Sequence, residues 1–346
     1  PEAFPPSPGY TTTPAALDPT FDQDGRKIVS ITESIDIMHS MRVLETSDAN
    51  NGKIVAVGAI NNMFGVMRFN ADMTADESFG QNGGGFTQTD LGDGNTAREF
   101  AIDSEGRILV VGGDKIVRFT ASGQLDESFG NEGIVTWAGL DDLGFISDIK
   151  ILPNGNFAAI ARKLREQRNS VARYNGHHGN NLLVNEYDSS GEKIRSFDRS
   201  TQILAGNNAP NPSWVPDIID IRDDGDFLLA SHGDSFDVVR TSRGGTQEKR
   251  YDVPLPGTEY HRSSVTLPDG KFLLIGKTDN DVVVTRHLPT GILDLTFGTD
   301  GVTKVPVLTG TDEGYRATLA KDGKILITGH AHNGSNYDIF VIRLHH

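Results

Sequence analysis

Residues 120–135 read TASGQLDESFGNEGIV, from Thr120 to Val135. The pattern returns at Leu288–Val302 as LPTGILDLTFGTDGV and, shortened, at Ala75–Gly80 as ADESFG. Leu17–Phe21 (LDPTF) is a first copy, and Gly191–Asp198 (GEKIRSFD) is a worn one. The step from Gly123 to Phe129 recurs from Gly191 to Phe197 and from Gly291 to Phe297. A chain that repeats itself on this scale builds one supersecondary unit many times over.

Between these copies lies a second mark, a polar residue and a glycine followed by a short apolar run. Its glycines are Gly52, Gly106, Gly155, Gly225, Gly270 and Gly323. Asx-Gly pairs supply the positive φ that tight hairpin turns need. The flanking runs favour β-branched and aromatic residues, which suit strands. No apolar period of 3.6 residues persists over helix length.

Each unit then holds four short strands. In the second unit these are 98–103, 107–112, 115–119 and 134–137. Six such units predict an all-β fold, a six-bladed β-propeller of four-stranded antiparallel blades. The last unit stops at Leu344 without its Phe-Gly turn and fourth strand, and the chain begins with that missing piece. Residues 27–31 are therefore expected to pair with the C-terminal unit, closing the ring and removing two sheet edges. The Pro- and Thr-rich residues 1–16 read as a loose leader, 17–344 as one domain, and 162–181 as an insertion in the longest interval.

The Leu-Asp-x-(Ser/Thr)-Phe-Gly units and the Asp-Gly-Lys-Ile-Leu turns resemble the delta-sixty repeat family of bacterial β-propeller-like proteins. The resemblance spans residues 17–344 and is sharpest in the second, fifth and sixth units. It implies an exported or cell-surface protein and brings no reaction and no catalytic residues with it.

Composition narrows the function. With 32 Lys+Arg against 47 Asp+Glu the formal charge is −15, which argues against general nucleic-acid binding. The absence of cysteine removes disulfides, thiolate metal sites and cysteine nucleophiles. No apolar run approaches the ~18 residues of a membrane-spanning helix.

Arg68, Arg118, Arg240, Arg286 and Arg343 precede the turn in five units, with Glu186 in that place in the third. The turn aspartates recur as Asp18, Asp76, Asp126 and Asp294. Charges repeated in every unit read as ion pairs that fix each turn, and the turn Phe reads as a wedge between blades. Function is sought where the units differ. Counting eight residues back from each turn glycine, with two extra allowed in the first unit, gives Arg42, Arg98, Ser147, Asp217, Arg262 and Tyr315. Counting seven forward gives Ala59, Gly113, Arg162, His232, Lys277 and His330. Together with Trp214 these describe a basic channel mouth on an acidic body, suited to carboxylate, phosphate or sulfate groups. The competing reading neutralises Arg42, Arg98 and Arg262 with acids such as Glu45, Glu99, Asp217 and Glu259.

The main expectation is a non-catalytic propeller that binds a partner protein or an anionic glycan at this mouth. The alternative is a hydrolase or lyase acting on an acidic saccharide, with Asp217, His232 or Tyr315 in acid/base roles. A carboxyl–His pair at the channel would favour the enzyme; an arginine-lined channel without one would favour the binder. His330-Ala-His332 and His232 suggest a metal only weakly, because Lys277 stands in the intervening unit. No metal and no cofactor are expected.

Overall fold

In the computed structural model the described residues are 17–29, 37–81, 83–92, 96–138, 140, 144–164, 180–199, 215–221, 227–232, 236–241, 247–253, 260–278, 281–290, 292–307, 312–320, 322–332 and 337–345. Side chains are described for part of these; those of 162–182, 197–253, 260–262, 266, 278 and 337 are not.

All regular structure among the described residues is β. Strand β1 (Arg26–Val29) stands apart in sequence. Then follow β2 (Ile37–Val43), β3 (Ile54–Ile60), β4 (Met63–Phe69) and β5 (Phe86–Thr89), which form one sheet in that order. The next sheet is β6 (Glu99–Ile102), β7 (Ile108–Gly112), β8 (Lys115–Phe119) and β9 (Ile134–Thr136). The third holds β10 (Phe145–Ile151), β11 (Phe157–Leu164), β12 (Asn180–Tyr187) and β13 (Lys193–Arg199). The fourth holds β14 (Val215–Ile221), β15 (Phe227–His232), β16 (Phe236–Thr241) and β17 (Gln247–Val253). The fifth holds β18 (Tyr260–Thr266), β19 (Phe272–Thr278), β20 (Asp281–His287) and β21 (Val302–Val305). The last joins β22 (Asp312–Leu319), β23 (Ile325–His332) and β24 (Tyr337–Leu344) to β1.

Every pairing is antiparallel, and this is β-propeller architecture. The N-terminal strand serves the C-terminal sheet: Arg26 pairs with Ile342 and Val29 with Ile339. The described pairing covers 26–29, beginning one residue earlier than the sequence suggested; residues 30 and 31 lie outside the described residues. Just before it, the Asp18 amide donates to the Arg343 carbonyl at 2.8 Å, and Leu17 bridges Leu344. The Leu-Asp-Pro-Thr-Phe copy is thus the turn that the last unit lacks. The expected insertion at 162–181 overlaps two strands at its ends, and 165–179 lie outside the described residues. Arg162, Lys163 and Leu164 continue β11, and Leu164 pairs with Asn180.

Strand alternation explains the cores. In β3, Val55 and Val57 point one way, into a cluster with Phe100, Val110 and Phe119 of the second sheet. Ile54 and Ala56 point the other way, to Leu326, Ile339 and Val341 of the last sheet. A middle strand buried on both faces carries apolar residues at every position. Each such side chain contributes about 1.5–3 kcal/mol relative to exposure.

The repeated turn is held as expected among the described residues. Arg68 Nε donates to Asp76 at 2.5 Å, Arg118 Nε to Asp126 at 2.7 Å and Arg286 Nε to Asp294 at 2.9 Å. Arg343 Nε lies 3.3 Å from Asp18. The other carboxylate oxygen accepts the hydroxyl of Thr20, Ser78, Ser128 or Thr296. Burial opposes ionisation of Asp76, but Lys53, Ser78 and Arg68 outweigh it and hold that carboxyl well below the usual range. Asp18 and Asp294 are lowered by the same balance of burial against lysine and hydroxyl donors. The third sheet swaps the charges: Glu186 on β12 accepts from Arg195 Nε on β13 at 2.6 Å.

The turn Phe is a wedge. Phe79 is fully buried, and a Cβ on Gly123 of the next sheet would lie 2.6 Å from its ring. Gly123 also has φ +84°, so both space and backbone require glycine there. Among the described residues no helix is long and apolar enough to cross a membrane.

Candidate functional site

The first strands of the sheets stand beside one another in chain order. β2 meets β6, β6 meets β10, β10 meets β14, β14 meets β18, β18 meets β22, and β22 meets β2. These first strands form the inner ring of contacts, and the end away from the Asx-Gly turns is the mouth. Most of these strands carry an extra residue where the register slips: His39, Ser147, Ile219, Arg262 and Tyr315. A bulge bends the strand and re-aims a side chain, and bulges gather next to functional sites.

The register changes the residue set read from the sequence. Val43 pairs with Ile54, eleven positions on, whereas Ile102 pairs with Ile108, six positions on. The first unit's turn is five residues longer, not two, so His39 and not Arg42 stands in line with Tyr315. Asp217 also belongs one layer deeper. It pairs with Ala230, five residues past its turn glycine, as Ser40 pairs with Val57, Glu99 with Val111, Asp148 with Ile160, Ser263 with Ile275 and Arg316 with Thr328. This layer contains three carboxylate residues that counting placed elsewhere or left unused.

Glu99 is the centre of the layer and is fully buried. It accepts hydrogen bonds from Ser40 Oγ and Arg42 Nη2, both at 2.9 Å, and from the Phe100 amide at 3.0 Å. Arg316 Nη2 makes a further, very short contact with its second oxygen. Two guanidiniums from the first and last sheets therefore meet one carboxylate of the second. Burial pulls Arg42 below the ordinary guanidinium range, opposed by the charge of Asp148. Burial, and then the charge of Arg42, pulls Arg316 down to about 9. Arg42 is thus a neutralised wall residue. It also lines a cleft of about 770 Å³ on the turn side, with Glu45, Asp48, Asp103 and Lys150.

The opposite end of the channel gathers a different set. Glu313 and His330 are cross-strand partners on β22 and β23, with Oε2 and Nε2 4.0 Å apart. Lys277 Nζ of β19 lies 4.0 Å from the other Glu313 oxygen. Tyr315 stands edge-on between two imidazoles. Its ring is 4.9 Å from that of His330 at 62° and 5.6 Å from that of His39 at 66°. His39 Nδ1 lies 2.7 Å from the Ala97 carbonyl oxygen. All five residues are partly buried.

The structure thus brings Tyr315, Lys277 and His330 together and separates Arg42 from them. Arg98 is exposed, its guanidinium 4.6 Å from the Phe145 ring centroid. Asp217, His232 and Arg262 hold their backbone places on β14, β15 and β18, but their side chains lie outside the described residues, as does the whole of Trp214. Sequence counting missed His39, because the length of its turn is set by pairing. It passed over Glu313. No group of three or more His, Asp or Glu suited to a metal ion occurs among the described residues.

A family model described as a domain of unknown function (DUF5122), beta-propeller, matches residues 49–79, 104–129 and 320–345. These segments are the repeated turns and their strands. No curated protein matches the chain. Among solved structures, a luciferin-regenerating enzyme aligns at TM-score 0.56 and 9% identity, covering 93% of this chain and 95% of that one. A protein of unknown function from Bacteroides caccae aligns at TM-score 0.50 and 15% identity, covering 81% and 82%. A gluconolactonase from Xanthomonas campestris aligns at TM-score 0.49 and 13% identity, covering 97% and 99%.

These findings correct the main functional expectation. A luciferin-regenerating enzyme stands among the structures that share this fold, and the mouth holds the carboxyl–imidazole pair that the alternative reading looked for. The non-catalytic reading is abandoned. Its physical error was to weigh arginines by position alone: Arg42, which it counted as free positive charge, is spent on Glu99.

Proposed function

We propose that this chain is a closed, six-bladed propeller enzyme that cleaves an acidic saccharide at the channel mouth, by elimination or hydrolysis. The observation that carries the reading is the cluster of Glu313, His330, Tyr315 and His39, contributed by the first and last sheets. Proton transfer by a positioned imidazole contributes typically ~10²–10⁴-fold to rate. Glu313 supplies a counter-charge when His330 carries a proton, and Lys277 together with Arg98 offers cations to a substrate carboxylate. Elimination suits this set better than glycoside hydrolysis, which needs two carboxyls flanking the bond. The Tyr315 ring and the imidazoles give flat surfaces for a sugar ring. An exported or cell-surface location accords with the family resemblance and with a polymeric substrate; fractionation of the native host tests it.

The test is a panel of polyuronates built from galacturonate, glucuronate or mannuronate. Release of unsaturated product is followed by ultraviolet absorbance, and release of reducing ends by colour reaction. His330→Gln should lower kcat on the active polymer by about 10²-fold or more while leaving the circular dichroism spectrum unchanged. A native protein that binds a polyuronate tightly yet never cleaves it would remove the proposal.

A further inference from the structure

The two imidazoles beside Tyr315 have opposite surroundings, and that difference assigns them roles. His39 Nδ1 lies 2.7 Å from the main-chain oxygen of Ala97. A carbonyl oxygen only accepts, so Nδ1 is the nitrogen that carries the proton. In the neutral ring the second nitrogen, Nε2, is then left with a lone pair. His330 faces a carboxylate instead, with Nε2 4.0 Å from Glu313 Oε2. Its protonated form therefore has a counter-charge at hand. Two titratable groups whose environments differ in this way mark out a base and an acid. Tyr315 stands between the rings, edge-on to both, and fixes their separation.

We propose that His39 is the general base and His330 the general acid of the elimination, acting from opposite sides of Tyr315. This rests on the reading of the mouth as a polyuronate-cleaving site. In the step, His39 Nε2 removes the proton from the carbon next to the substrate's carboxylate. The electron pair forms the new C=C bond, and the C–O bond to the leaving sugar breaks. That oxygen takes a proton from the His330 imidazolium. His39 ends charged and His330 neutral, and exchange with water restores both. No oxidant or reductant is consumed.

Deuterium exchange separates the two roles, because the base alone is needed to remove the proton. The native enzyme is incubated in D₂O with the polyuronate it cleaves, and deuterium at the carbon next to the carboxylate is read by mass spectrometry alongside unsaturated product. His330→Gln should keep exchange while losing elimination by about 10²-fold or more. His39→Asn should lose both to a similar degree, and added imidazole should restore part of the rate to His39→Gly. Thermal midpoints near native confirm that these variants fold. Elimination undiminished in a folded His39→Asn overturns the assignment while leaving the proposed function intact. So does loss of exchange in His330→Gln but not in His39→Asn. Cleavage that yields reducing ends without unsaturation overturns the elimination scheme. A native protein inactive on every polyuronate overturns the function and this assignment together.

Discussion

The outer turns and the channel wall both hold buried or half-buried carboxylates, but they treat them in opposite ways. At the turns, Asp18, Asp76, Asp126 and Asp294 each meet an Arg and a hydroxyl of their own motif, in nearly the same geometry. In the wall, equivalent register positions carry Ser40, Glu99, Asp148, Asp217, Ser263 and Arg316, a set that is not repeated from unit to unit, and Glu99 draws its charged partners from two other sheets. Identical partners in every unit stabilise the unit. Partners recruited from different units can only be supplied by the assembled fold, which is where a unique site can arise.

The comparison breaks most visibly at Glu99. Glu99→Ala leaves Arg42 and Arg316 facing each other without their shared carboxylate, and breaking a buried pair in this way costs about 3–5 kcal/mol. Urea unfolding should show that loss. A cost below that of a single turn variant would mean that the wall cluster holds nothing together.

A second test concerns the glycine opposite the wall. A Cβ on Gly112 would lie 2.0 Å from the Thr96 carbonyl oxygen, a backbone atom that cannot swing aside. Gly112→Ala should cost about 1–3 kcal/mol, whereas Gly106→Ala, at a surface turn of positive φ, should cost less and leave the channel unchanged.

Asp76→Asn keeps the shape of a turn carboxylate and removes its charge. Hydrogen bonds to charged groups are worth about 1.5–3 kcal/mol, and a loss near the lower figure is expected at neutral pH. The sign with pH follows from the lowered carboxyl. Its contribution is present above about pH 4, the unfolded value, and fades as the pH falls further. The native and Asp76→Asn stability curves should therefore converge in acid. Curves that stay parallel would show that the ion pair is not the source.

The smallest effect is expected where the motif is inverted. Glu186→Gln should cost about 1 kcal/mol, since Arg195 is well exposed. Restoring the usual order with Glu186→Arg and Arg195→Asp together should recover most of it. A double variant worse than the sum of the two single ones would show that the third sheet requires its reversed polarity.

Much of this was legible in order along the chain. The Leu-Asp-x-(Ser/Thr)-Phe-Gly copies, the Asx-Gly turns and the alternation of apolar runs determined four-stranded antiparallel units, because turn chemistry and strand period are local properties. The unfinished last unit likewise pointed to residues 27–31 pairing with the C-terminal unit, where Arg26–Val29 pair with β24, and the repeated Arg and Asp pointed to an ion pair eight residues apart. The reach of each turn was not local. A longer first-unit turn moved the count from His39 to Arg42, and only pairing with β3 shows it. Whether a charge is free or spent was likewise decided by tertiary structure. Arg42 and Glu99 are 57 residues apart, and Arg316 and Glu99 are 217. A carboxylate's partner is set by which strands stand side by side, and spacing along a chain does not encode that distance.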